Sequence, residues 1–153
     1  MDNQNRDCST KTIPQTQTAA GKPSVDQWLE EIKKTPAADQ IGMMLIHNGI
    51  VRATARRQVR EGDMSADPVK GMMFSYDEEK VAQAVREAEQ LDGIYVIRVW
   101  LNRGHLQVGD DIMLVLIGGD IRPRVVDALQ FLVGELKSHC VSERELIPEI
   151  GED

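Results

Sequence analysis

The chain has 153 residues, and its formal charge of -7 arises from 25 acidic side chains against 18 lysines and arginines. This length fits one domain, and the acidic balance argues against a dedicated nucleic-acid-binding protein, which normally carries a basic excess. Hydrophobic residues make up 41% of the sequence but aromatic residues only 4%, so the core has to be built from aliphatic side chains.

Cysteine content and hydropathy predict a protein of the reducing cytoplasm. Cys8 and Cys140 are too few for a disulfide framework and are predicted to be free thiols. No cluster of His and Cys has the spacing of a zinc site, so no metal is expected. No apolar run is long enough for a transmembrane helix, and the N-terminus lacks the apolar segment of a secretory signal.

The N-terminal stretch has the composition of a disordered tail. Residues 1–24 are mostly Asn, Gln, Thr, Ser, Lys and Pro, and such a stretch cannot bury enough apolar surface to offset its ordering entropy. Ser24 can then cap a helix over 25–34, where apolar residues recur at helical spacing. The folded domain is predicted to occupy 25–146, followed by an acidic C-terminal tail at 147–153.

Strand and helix patterns alternate through the first half of this domain. Residues 42–52 predict either a strand pair or one strand with a glycine bend. A turn-rich segment separates them from a second predicted strand at 70–76. Residues 77–90 predict an amphipathic helix, with Asp77 as its cap and an apolar stripe of helical period.

The second half of the domain predicts two strands, a long helix and a frayed end. Residues 94–101 are rich in β-branched and aromatic side chains, and 111–117 form the almost continuous apolar run of a buried strand. Residues 123–139 predict a helix, because Pro123 suits a first helical turn. The inner face of this predicted helix is assigned to Val126, Leu129, Leu132, Val133 and Leu136. The acidic last dozen residues of the chain are expected to fray. This order of elements predicts an α+β fold.

Four basic residues stand out in an acidic chain. Arg52 ends the first predicted strand, and Arg122 lies at a helix start, where free N–H groups and the helix dipole favour an anion. Lys137 lies late on that helix and Arg144 just beyond it. Spacing alone leaves open that all four are solvated surface charges. The three histidines are scattered, and each is expected to be a surface or strand-end residue.

The motifs around these cations resemble those of the large, catalytic subunit of molybdopterin synthase. The resemblance covers about residues 42–145, and the steps of fifteen residues from Arg122 to Lys137 and seven to Arg144 keep the family register. The sequence departs from it at the family histidine, which is Ile121 here, and at an aromatic position, which is Glu143. The matching segments are Gly49-Ile50-Val51-Arg52, the turn at 102–110, Ile121-Arg122, Gly134-Glu135-Leu136-Lys137 and Glu143-Arg144-Glu145.

The resemblance implies a fold, a reaction and partners. The implied fold is a single-domain, two-layer α/β sandwich of hammerhead type with an antiparallel or mixed sheet. The implied reaction is sulfur transfer from the C-terminal thiocarboxylate of a small ubiquitin-like subunit, ending in Gly-Gly, to cyclic pyranopterin monophosphate. It needs no metal or organic cofactor. Lys137 and Arg144 would be catalytic, and Arg52 and Arg122 would bind the substrate phosphate.

A distance argument adds a prediction about assembly. If one helix joins Arg122 to Lys137, the two residues lie roughly 22 Å apart at about 1.5 Å per residue, too far to hold one small substrate within one chain. A two-fold dimer that brings the helix start of one chain to the helix end of the other would solve this. The resemblance implies the same picture, a homodimer at the centre of a heterotetramer. The alternative is a non-catalytic homologue that binds the partner tail or a pterin phosphate.

Overall fold

The computed structural model describes residues 21–64 and 67–147. Most of the predicted N-terminal tail, Cys8 and most of the predicted C-terminal tail therefore lie outside the described residues. No helix in the described part of the chain is long and apolar enough to cross a membrane. Cys140 is buried and is a free thiol, as predicted.

The described residues form four α-helices, six strands and two short helical turns. The helices are α1 (Val25–Lys33), α2 (Arg56–Glu61), α3 (Glu78–Glu89) and α4 (Arg122–Glu135). A 3-10 helix covers Pro36–Gln40, and a π-helical turn continues α4 over Leu136–Cys140. The strands are β1 (Met43–Ile50), β2 (Gly71–Tyr76), β3 (Ile94–Leu101), β4 (Gly104–Gln107), β5 (Asp111–Gly119) and β6 (Val141–Leu146).

The strands form two three-stranded sheets in which every pairing is antiparallel. The first sheet has the order β1-β5-β3 and the second the order β4-β2-β6. The pairing of β1 with β5 shifts register between Gly49 and Ile50. Of the two alternatives for 42–52, the single strand with an irregularity at its glycine is therefore correct. The predicted single-domain α+β fold with antiparallel sheets is confirmed.

The two faces of the first sheet are buried against different helices, because side chains alternate along each strand. On one face, Ile97 of β3 and Val115 of β5 join a core that also contains α3, α4 and the inner side of the second sheet. On the other face, Trp100 and Leu116 pack with Trp28 of α1 in a smaller core. Helix α1 thus adds a layer to the predicted two-layer sandwich, and the large core lies between the two sheets and α3 and α4.

One α-helix and two strands were missed, and the inner face of α4 was predicted only in part. α2 lies in the segment predicted to be turns, β4 in a segment predicted to link two strands, and β6 in the segment predicted to fray. β6 pairs with β2 over six residues, and two of its charged side chains contact α2. Leu132 and Leu136 are buried, and Leu129 and Val133 pack against the large core, as predicted. Val126 is only partly buried, and the buried Val125 and Ala128 were not predicted. The apolar residues of this helix occur in adjacent pairs, so its sequence fits more than one inward face.

The cap of α1 gives a first testable prediction. The Ser24 hydroxyl accepts a hydrogen bond from the Gln27 backbone N–H at 3.3 Å, which satisfies a donor that the first helical turn leaves free. We expect Ser24→Ala to lower the free energy of unfolding by about 1 kcal/mol. Urea unfolding followed by circular dichroism measures this change. The control is Ser75→Ala, which makes the same change at an exposed position on β2. An equal loss of unfolding free energy in both variants would contradict the assigned cap.

Candidate functional site

A pocket of about 200 Å³ lies where the end of β1, α2, β6 and the turn after α4 meet. Apolar side chains of β2 and β5 also line it. Its titratable and charged lining residues come from five separate elements or loops and are His47, Arg52, Arg56, Lys137, Glu143 and Glu145.

Arg52 lies two residues beyond the end of β1, after the register shift at Gly49 and Ile50. The backbone before it is held in place, because the Val51 N–H donates to the Asp110 carbonyl at 2.9 Å and the Val51 carbonyl accepts from the Gly109 N–H at 2.8 Å. The Arg52 Nε donates to the Thr54 carbonyl at 3.1 Å. The guanidinium is exposed and has no carboxylate partner within residues 21–64 and 67–147.

Lys137 is the second residue of the π-helical turn that follows α4. Its neighbour Leu136 is fully buried, and this anchors the turn while the Lys137 side chain stays exposed at the pocket. In the part of the chain that the structure describes, the ammonium group takes part in no ion pair. Within the described residues, Arg52 and Lys137 are therefore two cations without an ion-pair partner in one pocket, a combination suited to an anionic ligand.

The two pocket glutamates are engaged with α2. The Glu143 Oε2 atom lies 2.6 Å from the Arg56 Nη2 atom, and the Glu145 carboxylate accepts a hydrogen bond from the Arg56 backbone N–H at 3.2 Å. A carboxylate at a helix start compensates the free N–H groups there. These contacts tie α2 to β6, and the Glu143 carboxylate pairs with Arg56 rather than with Arg52 or Lys137.

His47 adds a titratable side chain to the same pocket. It lies on the face of β1 that also carries Met43 and Leu45, which pack against the large core. Its Nε2 atom is buried and has no hydrogen-bond partner among the described residues. Burial, and to a lesser extent the nearby charge of Lys137, lowers the pKa of His47 below its ordinary value, so the imidazole is neutral at pH 7.

The structure brings two of the four predicted site residues together and leaves two apart. Arg52 and Lys137 line the pocket. Arg144 lies between two pocket glutamates on β6, so strand alternation turns its exposed side chain to the opposite face. Arg122 begins α4 and lines a separate open depression with Ile121 and Pro123. Within one chain, neither Arg122 nor Arg144 reaches the pocket.

Four further lining residues, His47, Arg56, Glu143 and Glu145, were not predicted as site residues. The alternation along β6 would have indicated the two glutamates, had that segment been recognised as a strand. His47 and Gly49 are two apart on β1 and so share a face. No group of three His, Cys, Asp or Glu side chains that could hold a metal ion occurs among residues 21–64 and 67–147.

The chain is similar to solved structures of molybdopterin biosynthesis proteins. It matches molybdopterin synthase from Staphylococcus aureus with a TM-score of 0.67 and 15% identity, covering 90% of this chain and 95% of that one. Molybdopterin cofactor biosynthesis protein E from Burkholderia multivorans gives 0.62 and 15%, covering 93% of both chains. A complex of subunits 1 and 2 of molybdopterin-converting factor from Helicobacter pylori gives 0.58 and 14%, covering 88% and 90%.

At these identities the structures establish the fold alone, and the sequence comparisons decide the family. A search of curated proteins finds no significant match. The family model described as MoaE protein matches residues 21–139, which is most of the chain and includes Arg52, Arg122 and Lys137. The chain therefore belongs to the MoaE protein family.

Proposed function

We propose that this protein is the catalytic large subunit of a molybdopterin synthase, acting in molybdenum cofactor biosynthesis. It transfers sulfur from the C-terminal thiocarboxylate of a small ubiquitin-like subunit to cyclic pyranopterin monophosphate, and two such transfers form the dithiolene. Family membership supports the pathway. The observation that carries the chemistry is the pocket in which Arg52 and Lys137 have no acidic partner among the described residues.

The charge of the pocket suits both reactants. The pterin substrate carries a phosphate and the partner carries a thiocarboxylate, so both are anions at neutral pH. The Arg52 guanidinium can hold two phosphate oxygens at once. The Lys137 ammonium is a mobile point charge on a flexible stem that stabilises negative charge developing on the carbonyl oxygen during transfer. These two side chains therefore have separate roles, Arg52 in binding and Lys137 in catalysis.

The remaining two predicted site residues enter the proposal through assembly. Arg122 lies at the start of α4 and Lys137 just beyond its end, so a second chain has to supply Arg122 if both act on one substrate. We place it on the phosphate of a substrate bound by the other chain of a two-fold dimer. Arg144 faces away from the pocket of its own chain and is assigned a weaker role, in binding the substrate or the small subunit. The Helicobacter pylori complex of two subunits supports a small-subunit partner.

The small subunit gives the second prediction. Its Gly-Gly end is expected to enter a narrow channel near Lys137 and residues 131–133, because a backbone without Cβ atoms can thread where other residues clash. Removing these two glycines should weaken binding at least tenfold, measured by calorimetric titration. Replacing an exposed residue on the opposite side of the small subunit serves as its control. Equal affinity of the truncated and intact subunits would contradict the channel.

A non-catalytic homologue is the second candidate, favoured by the two glutamates that line the pocket. Such a protein would bind the partner tail or the pterin phosphate without turnover. A single-turnover experiment separates the two functions. The full-length chain is mixed with thiocarboxylated partner and pterin substrate, and intact-mass spectrometry follows the partner. Conversion of the thiocarboxylate to a carboxylate only when all three components are present supports the enzyme. Stable binding with an unchanged thiocarboxylate supports the binding protein.

A further inference from the structure

We propose that the imidazole of His47 is the proton acceptor that activates water for the hydrolytic half of each sulfur transfer, an assignment that rests on the proposed function. Three observations combine here. His47 lines the same pocket as Lys137, its Nε2 atom is buried without a hydrogen-bond partner in the described part of the chain, and position 49 beside it is a glycine.

Atom balance requires a water molecule in this reaction. When the thiocarboxylate sulfur bonds to a pterin carbon, a carbon–oxygen bond at that carbon breaks and its electron pair leaves with oxygen. The carbonyl carbon of the small subunit stays attached to the sulfur as a thioester. To free the small subunit as a carboxylate, a water oxygen bonds to the carbonyl carbon and the carbon–sulfur bond breaks. The electron pair leaves with sulfur as a pterin thiolate. Water gives up one proton as its oxygen attacks, so a proton acceptor is needed beside the carbonyl group.

The geometry of β1 leaves His47 available for this role. A Cβ atom built at Gly49 would lie 3.7 Å from the His47 Nε2 atom and 3.1 Å from the Met113 Cγ atom. A side chain at Gly49 would therefore press on Met113 and contact the edge of the imidazole. With glycine there, the imidazole borders the pocket, and a water or carbonyl oxygen that enters can provide the hydrogen-bond partner that the described residues do not supply.

The other charged side chains around the pocket leave His47 as the suitable base. Arg52 and Arg56 are cations and cannot accept a proton, and the charge of Lys137 disfavours a protonated imidazole. Glu143 pairs with Arg56 through Oε2, although its buried Oε1 atom has no partner among the described residues, and Glu145 accepts from the α2 backbone. Burial, and to a lesser extent Lys137, lowers the pKa of His47. The imidazole is therefore neutral at pH 7 and free to accept a proton, while the ammonium of Lys137 stabilises the oxyanion.

Two substitutions test the assignment in the full-length chain. His47→Phe removes the proton acceptor, and His47→Gln keeps a hydrogen-bonding group that cannot take the proton. Both should slow release of the small subunit about a hundredfold, and the covalent adduct of small subunit and pterin should accumulate in intact-mass spectra. His105→Phe makes the same change at an exposed position on β4 and should leave release unchanged. Wild-type release by His47→Phe, or rescue by His47→Gln, would overturn the role.

The pH profile provides a second readout. Because the base must be neutral, kcat/KM of the wild type should fall as the pH drops through the lowered pKa of His47. This acidic limb should disappear from the residual activity of His47→Gln. An unchanged acidic limb would assign it to another group and overturn the inference.

Imidazole titration by nuclear magnetic resonance separates a failure of this inference from a failure of the proposed function. The pKa of His47 should lie below the ordinary value of an imidazole and should rise in Lys137→Met, because loss of the nearby cation favours the imidazolium. A His47 pKa at or above that ordinary value would overturn the inference. If the titration is as expected and the wild type transfers no sulfur, the proposed function fails, and the proton-acceptor role fails with it.

Discussion

Lys137→Ala is expected to lower the rate of sulfur transfer at least about a hundredfold, since a positioned charge that stabilises a transition state commonly contributes that much. The loss should appear in kcat rather than in KM, because the ammonium acts on charge that develops only during transfer. Stopped-flow or quenched single-turnover kinetics with saturating substrate measures the effect. Lys137 is exposed and lies outside the buried core, so the variant should fold normally.

Lys80→Ala is the matched control for this experiment. Lys80 is also an exposed lysine, but it lies on α3 and outside the pocket. It should retain wild-type turnover, and both variants should unfold at the wild-type temperature. If Lys137→Ala turns over at the wild-type rate, the family mechanism does not apply to this chain and the binding-protein alternative is the better account.

Arg122→Ala should produce the second large effect, a fall in kcat/KM of about tenfold to a hundredfold, as expected for loss of a charge-assisted bond to phosphate. The more informative result comes from combining it with Lys137→Ala. If each active site takes Lys137 from one chain and Arg122 from the other, a mixed dimer contains one intact site and one site that lacks both residues. Random co-assembly of equal amounts should therefore restore about one quarter of the wild-type activity.

Co-expression of the two differently tagged variants, followed by purification through both tags, isolates the mixed dimer. This species should have about half of the wild-type activity, since one of its two sites is intact. The comparison is a mixed dimer of Arg144→Ala and Lys137→Ala chains. Its activity should differ less from that of the separate variants, because Arg144 is assigned a weaker role. Mixed dimers of Arg122→Ala and Lys137→Ala that stay as inactive as Lys137→Ala alone would contradict a site shared between chains.

The parts of the fold that were predicted correctly are those in which local pattern and tertiary packing agree. Helix α3 has a capping aspartate and an apolar stripe, and all four of its buried residues belong to the large core. β5 was recognisable because both of its faces are covered, which gives a continuous apolar run. For such elements the local sequence pattern is sufficient to predict the helix or strand.

The missed elements depend on contacts that no local pattern reveals. α2 has six residues, and its start is compensated by Glu145 from β6, a residue 89 positions away. β6 carries charged side chains on both faces, since Glu143 pairs with Arg56 and Arg144 is exposed. Its composition therefore resembles that of a solvated tail, although the strand completes the second sheet. Each of these two elements is stabilised by the other.

Only those residues of the candidate site that belong to a family motif could be predicted from the sequence. The register of the family motifs identified Arg52 and Lys137, which line one pocket. It could not show that Arg144 faces away from the pocket, because that depends on the unrecognised strand β6. A single histidine in a strand is an ordinary residue in sequence terms, so His47 became a candidate only through its burial and its proximity to Lys137.

The most direct test of the central claim is the sulfur content of the pterin product. The full-length chain is incubated with excess thiocarboxylated small subunit and cyclic pyranopterin monophosphate, and the product is analysed by mass spectrometry. The account predicts a pterin that has gained two sulfur atoms, with two small subunits converted to the carboxylate form for each pterin. A pterin that binds and is recovered without sulfur, with the thiocarboxylate intact, would contradict it.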